Sequence, residues 1–407
     1  MTSTPDVIVI GGGPCGSAAA AGLAKQGANT IVFEEHAQVG IPSHCAGHLS
    51  INGLRQLKLF PLPEGIIENT FCGATFYSPG CNAFSIRFSS PVTCTVDRAL
   101  FDQYIAEMAE TAGATYQPES RVEQLLVKDG SVKGVILDRK SQTEKVSARI
   151  VVDAEGISSR FVRILGLRTP DRRGLVNAVQ AEVDGTENLE SDMVEVFLGR
   201  KYSPGFYAWL IPKRDKKAKV GLAARSGNPK ELLQKLMLKH PVASAKLRKA
   251  KILRTSFHPI TLGGPTPRAY SDGFLAVGDA VSQVKPTTGG GVILGMTCAE
   301  IAAQVVVKSL QRGDFSAGFL SLYQRRCKQA LGLDMSVMLK ARKMLDAMSD
   351  HRIDELINLC ATLGLDKTLL SVKDIDFQGK SLLHVLRSPR ALAVLGYLFF
   401  FYLTANP

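Results

Sequence analysis

Apolar and polar positions along this chain switch between a period near two and a period near 3.6, and the switches mark out its elements. Residues 6–10 (DVIVI) are a β-branched run that meets GGGPCG without a spacer. SAAAAGLAKQG follows with helix-forming alanines and a terminating glycine, and 30–34 (TIVFE) is a second strand-like run. Together these segments read as strand, glycine turn, helix and strand, a βαβ unit. Residues 72–88 alternate around Ser78-Pro79-Gly80 as a hairpin outside the parallel sheet, and 97–112 carry apolar residues at helical spacing up to Gly113. Short strands then lead to 150–152, which runs into DAEGISSR at another strand-to-turn junction.

From about Leu175 to Leu222, the runs NAVQAEV, MVEVFLG, GFYAWLIP and AKVGLAA read as antiparallel strands separated by polar turns. Residues 273–277 return to the short apolar strand pattern and open a long loop, GDAVSQVKPTTGGG, that leads into a helix; beyond Asp314 the pattern is helical. The expected fold class is α/β, α+β overall. A Rossmann-type dinucleotide domain is split over 1–70, 90–165 and 265–310, an antiparallel-sheet substrate domain occupies 71–89 and 166–264, and a helical region covers 311–407.

The length of 407 residues suits two or three domains, and ordinary glycine and proline usage without repeats excludes a fibrous or disordered chain. A formal net charge of +12 suits an anionic membrane surface, an acidic redox partner or nucleic acid, and does not choose among them. Part of it is concentrated at Lys235, Lys239, Lys246, Arg248, Lys249 and Lys251, which face a single acid, Glu231; as a solvated face this stretch reads as helical. The eight cysteines include no C-x-x-C pair, so a metal or iron–sulfur centre is not expected. Nothing resembling a signal peptide precedes Asp6, which leads to the expectation of a cytoplasmic protein with reduced thiols. Residues 391–403 (ALAVLGYLFFFYL) are unbroken apolar sequence after Arg387 and Arg390. Spanning a bilayer takes ~20 such residues, so the run reads as a buried C-terminal helix or, with Tyr397 and Tyr402, as a segment in the interface of an anionic membrane, peripheral on the inner face of the cell membrane.

The chemistry is concentrated in glycines and acids. Gly11, Gly13 and Gly16 satisfy G-x-G-x-x-G between strand and helix, and Glu34 ends the next strand. Gly11 permits the tight turn, Gly13 lets backbone approach a pyrophosphate, Gly16 allows close helix packing, and Glu34 can accept from ribose hydroxyls. NAD and FAD share that fingerprint. Gly278-Asp279 after the strand GFLAV tilts the choice to FAD, because an aspartate there can bind a ribityl hydroxyl, and Gly289, Gly290 and Gly291 before Val292 offer bare N–H groups to the flavin pyrimidine edge.

Three segments, GGGPCG with Glu34, VVDAEGISSRFVR and GFLAVGDAVSQVKPTTGGGV, resemble the flavoprotein group that includes aromatic hydroxylases and geranylgeranyl reductases. Glu155 stands where that group usually has Asp. VGIPSHCAGHL with His44, Cys45, Ala46 and Gly47, and PGFYAWLIP with Pro204, Tyr207, Trp209, Ile211 and Pro212, are similar to the geranylgeranyl reductases. Those enzymes carry a cysteine in a loop near the flavin and a P-x-x-Y-x-W-x-F-P signature lining a lipid tunnel; here Ile211 replaces the Phe. The resemblance implies FAD contacts from Cys15, Cys45, Ala46, Gly47, Arg98, Val122, Asp279, Gly290, Gly291 and Val292, and candidate proton-transfer roles for Cys45 and His44. It further implies an FAD-dependent reductase that saturates double bonds of geranylgeranyl chains on an ether phospholipid or a prenyl diphosphate. Two alternatives stay open: an FAD monooxygenase acting on an aromatic substrate, and a flavin-containing lipid-binding protein without turnover. The electron donor could be ferredoxin, a deazaflavin or NAD(P)H, and no nucleic-acid partner is expected.

Overall fold

Val7, Ile8 and Val9 have no exposed surface because the strand Val7–Ile10 lies inside a parallel sheet, between Ile150–Asp153 and Thr30–Phe33. A strand covered on both faces favours a continuous β-branched run over alternation. The computed structural model describes residues 4–139, 142–372, 374–385 and 388–405. The chain divides into two units, one of residues 1–43, 98–174 and 261–333, the other of 44–97, 175–260 and 334–407.

In the first unit the six-stranded sheet runs in the order Tyr270–Ser271, Phe274–Ala276, Ile150–Asp153, Val7–Ile10, Thr30–Phe33 and Thr115–Gln117. A second sheet of three antiparallel strands is built from Arg121–Lys128, Ser131–Arg139 and Gln142–Ser147. The helix Pro14–Ala24 packs on Val292–Arg312 where Gly22 meets Ala303; a Cβ at Gly22 would lie 2.8 Å from the Ala303 Cβ. Among the described residues Val292–Arg312 is the one helix long and apolar enough to cross a membrane, but 67% of that window is buried, which marks it as a core helix.

The second unit is built on a seven-stranded sheet in the order Lys251–Thr261, Leu175–Asp184, Lys217–Ala224, Tyr207–Pro212, Met193–Leu198, Gly73–Tyr77 and Ala83–Arg87. The expected hairpin is present, since Gly73–Tyr77 and Ala83–Arg87 pair antiparallel across Ser78–Asn82. Gly73–Tyr77 also pairs parallel with Met193–Leu198, so the sheet is mixed rather than antiparallel throughout. One face is covered by the helices Pro229–Lys239 and Pro241–Leu247, whose Leu233, Leu236, Met237 and Leu247 pack on Val220, Leu222, Ala208 and Leu210.

Three boundaries differ from the sequence reading. Residues 44–70 and 90–97 group with the sheet unit, because His48–Ser50, Thr93–Val96 and Ile67–Phe71 form a three-stranded sheet of their own there. The helical tail is divided between the units at Leu333 and Asp334. The basic stretch is helical only to Leu247, and Lys251 to Arg254 begin an exposed edge strand whose Ile252, Leu253 and Phe257 give it no inward-facing period.

The C-terminal apolar run forms part of the helix Pro389–Ala405. Ala391 and Val394 are buried in a cluster with Ile353, Ile357 and Cys360, and the Tyr397 hydroxyl donates to Glu355 at 2.7 Å. This part of the run covers the unit's own core. Arg387 lies outside the described residues.

His240 starts Pro241–Leu247, its Nδ1 accepting from the Val242 and Ala243 amides at 3.2 Å, with its ring 4.8 Å from that of Phe197. Burial, helped by Lys201, pushes this imidazole from 6.5 down to about 4. The folded state therefore holds the neutral form while the unfolded chain takes up a proton near pH 6.5. Stability is full above that pH and falls by about 3 kcal/mol as pH drops toward 4. Urea unfolding at pH 7 and pH 4.5 measures this, and His240→Asn, which keeps a capping acceptor, flattens the dependence.

Candidate active site

In the first unit the candidate site is a set of backbones brought too close for side chains. Gly11 has φ +93° and its amide donates to the Phe33 carbonyl at 2.8 Å, while a Cβ on it would lie 2.7 Å from the Ala154 oxygen. A Cβ at Gly16 would fall 1.9 Å from the Gly11 oxygen, whereas one at Gly13 would meet nothing within 4 Å. Gly13 caps Pro14–Ala24 without a side-chain hydrogen bond, so the first amides of the helix are left for another acceptor. That open backbone beside an uncapped helix start is what a pyrophosphate requires.

Glu34 is 8% exposed and ties the turn to the second strand. Its Oε2 accepts from the Gly12 amide at 2.8 Å and its Oε1 from the His36 amide at 3.0 Å. A carboxylate has further lone pairs, so ribose binding remains compatible with this arrangement.

Cys15 is a packing residue: burial raises its thiol, and its Sγ sits 2.9 Å from the Cβ position of Gly278 and 2.5 Å from that of Gly295. It wedges the first glycine turn against the Gly278-Asp279 loop. Burial also raises the Asp279 carboxyl while Arg98 acts in the opposite direction, and a Cβ at Gly291 would stand 2.9 Å from Asp279 Oδ1. Gly291 thus leaves the carboxylate room at the start of Val292–Arg312, where again no side chain caps the helix. Gly290 lies beside the Lys285 side chain, 2.9 Å from Cε by the same measure. Arg98 is held bidentately by Asp102, with both contacts at 2.9 Å. Val122 is buried, and its carbonyl accepts from the Arg160 guanidinium. Glu155, longer than the usual Asp, accepts from the Phe161 amide at 2.8 Å and lies 3.7 Å from Arg160, so it caps the helix Arg160–Ile164.

Sequence reading missed two groups that hold the Gly278-Asp279 loop. Gln283 accepts from the Gly278 amide at 2.8 Å and donates to Tyr323 at 2.7 Å, and the Tyr323 hydroxyl donates to the Ala276 carbonyl at 3.0 Å. Neither belongs to a motif, and Tyr323 is 40 positions from its partner.

A separate group of candidate residues lies within the sheet unit. Tyr207, Trp209 and Ile211 alternate with Ala208 and Leu210, which are fully buried in the helix-covered core. Trp209 pairs with Gly221 on the next strand, and Gly221 with Gln180 beyond it. The indole crosses Gly221, where a Cβ would be 2.5 Å from its Cζ2, and its Nε1 donates to Gln180 at 3.2 Å. Burial raises the Tyr207 hydroxyl, opposed by Arg342. Pro204 accepts from the Arg225 amide at 2.8 Å, and Pro212 closes the strand, its carbonyl accepting from Asn69 at 3.1 Å.

Ala46 and Trp209 both pack against the buried cluster of Phe71, Val194 and Ile211, which seats the cysteine loop at the Ile211 end of this face. Its carbonyl accepts from Lys219 at 3.0 Å, and Lys219 pairs with Glu68 at 2.5 Å. Glu68 in turn pairs with Lys213 at 2.8 Å, and Lys213 also meets Glu182. Cys45 is exposed, its sulfur 3.4 Å from the Gly47 amide; Gly47 has φ +72° and accepts from the Val96 amide at 2.9 Å. His44 is exposed and stacks on His258 with ring centroids 5.8 Å apart.

These glycine turns and acids define a dinucleotide-binding flavoprotein, and residues 4–331 match the model of the FAD binding domain family. FAD is the cofactor that the first unit's open turn, uncapped helices and buried aspartate fit. The chain is 32% identical over 358 residues to digeranylgeranylglycerophospholipid reductase 2 of Methanopyrus kandleri, covering 86% of this chain and 89% of the relative. It is likewise 32% identical to digeranylgeranylglycerophospholipid reductase of Methanocaldococcus jannaschii, with 86% and 89% covered. The chain belongs to the digeranylgeranylglycerophospholipid reductase family. The crystal structure of a geranylgeranyl bacteriochlorophyll reductase-like protein from Thermoplasma acidophilum superposes with a TM-score of 0.87 at 25% identity, covering 97% of this chain and 99% of that one. A flavin-dependent brominase, at 18% identity and a TM-score of 0.71, shares the fold.

Asp279→Ala should weaken FAD retention by roughly 1.5–3 kcal/mol, the range for a hydrogen bond to a charged group. Flavin released on gel filtration measures it, and unchanged retention would remove Asp279 from the cofactor contacts.

Proposed function

We propose that this protein saturates carbon–carbon double bonds in geranylgeranyl chains carried on an ether phospholipid or a prenyl diphosphate. The observation that carries the reading is the shared strand face of Tyr207, Trp209 and Ile211, with Ala46 of the cysteine loop packed on the cluster that contains Ile211. FAD, when bound and reduced, supplies the hydride. The chain's own task is then positional, since an isolated alkene has no carbonyl to polarise, and acceleration rests on orientation and exclusion of water.

An indole spread over Gly221 offers a wide apolar floor against which a polyisoprenoid can lie in few orientations. Cys45 and His44 are the groups of the neighbouring loop that can carry a proton to the second alkene carbon. We assign FAD contacts to Gly11, Gly13, Gly16, Glu34, Arg98, Asp279, Gly290 and Gly291. Reducing equivalents come from a ferredoxin, a deazaflavin or NAD(P)H. The lipid substrate and the net charge of +12 favour work at an anionic bilayer surface. Salt-sensitive cosedimentation with anionic vesicles, lost in a chain ending at Ser388, would assign that contact to the C-terminal helix; equal binding of both chains would exclude it.

Incubated anaerobically with reductant and a geranylgeranyl lipid, the FAD-loaded protein should raise substrate mass by hydrogen pairs. A gain of one oxygen in air would mean a monooxygenase, and no change a binding protein. Trp209→Ala should reduce turnover of long prenyl chains at least tenfold while leaving the flavin spectrum unaltered; equal activity would make Trp209 an ordinary core residue.

A further inference from the structure

The sheet unit holds a second group of charges that neither the cofactor nor the reaction uses. Arg342, in the helix Ala317–Ala347, is 7% exposed, with its guanidinium 5.6 Å from the Phe206 ring. It bonds Asp346 at 2.5 Å, and its buried Nε has no hydrogen-bond partner. The other oxygen of Asp346 is taken by Arg225 at 2.9 Å, and the Arg225 backbone is fixed by its bond to Pro204 at 2.8 Å. Arg200 is spent on the helix end, donating to the carbonyls of Asp346 and Met348. Two guanidinium groups therefore share one carboxylate at the start of the aromatic strand. A buried donor left without an acceptor is costly unless an acceptor arrives.

From this cluster the aromatic rings run in sequence. Phe206 stacks on Tyr207 at 4.2 Å, and Tyr207 meets Trp209 edge-on at 6.0 Å. Tyr207 and Ile211 are four positions apart on the strand, ~13 Å at the usual rise, and Ile211 belongs to the cluster on which Ala46 packs. The apolar face thus has a cationic end and an end at the cysteine loop.

We propose that Arg342 and Arg225 form the subsite for the phosphate of the prenyl substrate, anchoring the head group at the Phe206 end so that the chain lies along Tyr207, Trp209 and Ile211. The inference rests on the lipid-reductase reading and adds the element that sets where along the chain reduction falls. Guanidinium groups match phosphate oxygens in planar, paired geometry, and one that is little hydrated does so most strongly. The ligand class is a phosphate monoester or diphosphate on a long apolar chain.

Trp209 is the single tryptophan, so its fluorescence reports on the wall directly. The FAD-loaded protein would be titrated with geranylgeraniol, geranylgeranyl diphosphate and di-O-geranylgeranylglyceryl phosphate in neutral detergent. The wild type should bind at least one anion ten times more tightly than the alcohol, with the gap shrinking in salt; which anion shows it identifies the head group. Arg342→Gln and the more exposed Arg225→Gln should each narrow the gap at least fivefold while geranylgeraniol affinity stays within twofold. A purely structural ion cluster would instead lower the melting temperature and leave the discrimination intact, which overturns the subsite, as does a wild type that binds alcohol and anions alike. Trp209 fluorescence indifferent to all three compounds overturns the lipid wall itself.

Discussion

Contact between backbones, closer than any side chain allows, is the constraint on which the cofactor unit depends. The Gly16 Cα approaches the Gly11 carbonyl so nearly that an added Cβ would be 1.9 Å from it, and one on Gly11 would be 2.7 Å from the Ala154 oxygen. Turn, helix and the strand Ile150–Asp153 therefore meet at one point. Cys15 is a small side chain in the next layer, between Gly278 and Gly295, and it carries the same compactness to the second glycine loop. Glycine's conformational entropy cost is accepted because backbone amides, fixed and unshielded, are what bind an anion at a helix start.

The sheet unit solves a different problem, since its central strand has to serve two faces. Ala208 and Leu210 fill a conventional core under two helices, and Tyr207, Trp209 and Ile211 are kept off it by strand alternation. Gly221 shapes the second face by giving the indole room to extend across the neighbouring strand. Lys219, one strand over and opposite Ile211, then reaches the Ala46 carbonyl and so fixes the cysteine loop to the same strands that hold the wall.

Much of this was legible in the sequence, for physical reasons that also explain the rest. Gly11, Gly13, Gly16, Glu34 and Asp279 could be read because a tight strand–turn–helix junction, and an acid at the end of a neighbouring strand, demand particular residues at fixed local spacing. The strand Tyr207–Pro212 could be read because its period of two survives in composition. The strand Lys251–Thr261 could not, since an edge strand exposed on both sides alternates nothing. The grouping of residues 44–70 and 90–97 with the sheet unit was hidden because it depends on pairings of His48–Ser50 and Ile67–Phe71 with Thr93–Val96, which no local pattern announces. Gln283, Tyr323, Gln180 and Lys219 act through partners far away in sequence, and a lone buried polar residue has no local signature.

Charge is excluded from the middle of the aromatic face and gathered at its ends. Lys219, Glu68, Lys213 and Glu182 neutralise one another at the Ile211 end, and all four are at least half-buried. Such pairs add little net stability, because desolvation consumes most of their attraction. Their effect is directional: the Lys219 ammonium, held by Glu68, has a proton left for the Ala46 carbonyl, and this sets the height of the loop that carries Cys45. At the Phe206 end the balance is unequal, with Arg342 and Arg225 on one Asp346. An apolar band closed by a neutral cluster at one end and a net cationic cluster at the other is polar along its length. A symmetric hydrocarbon would enter it either way round, and only a chain with an anionic terminus would be held in one direction.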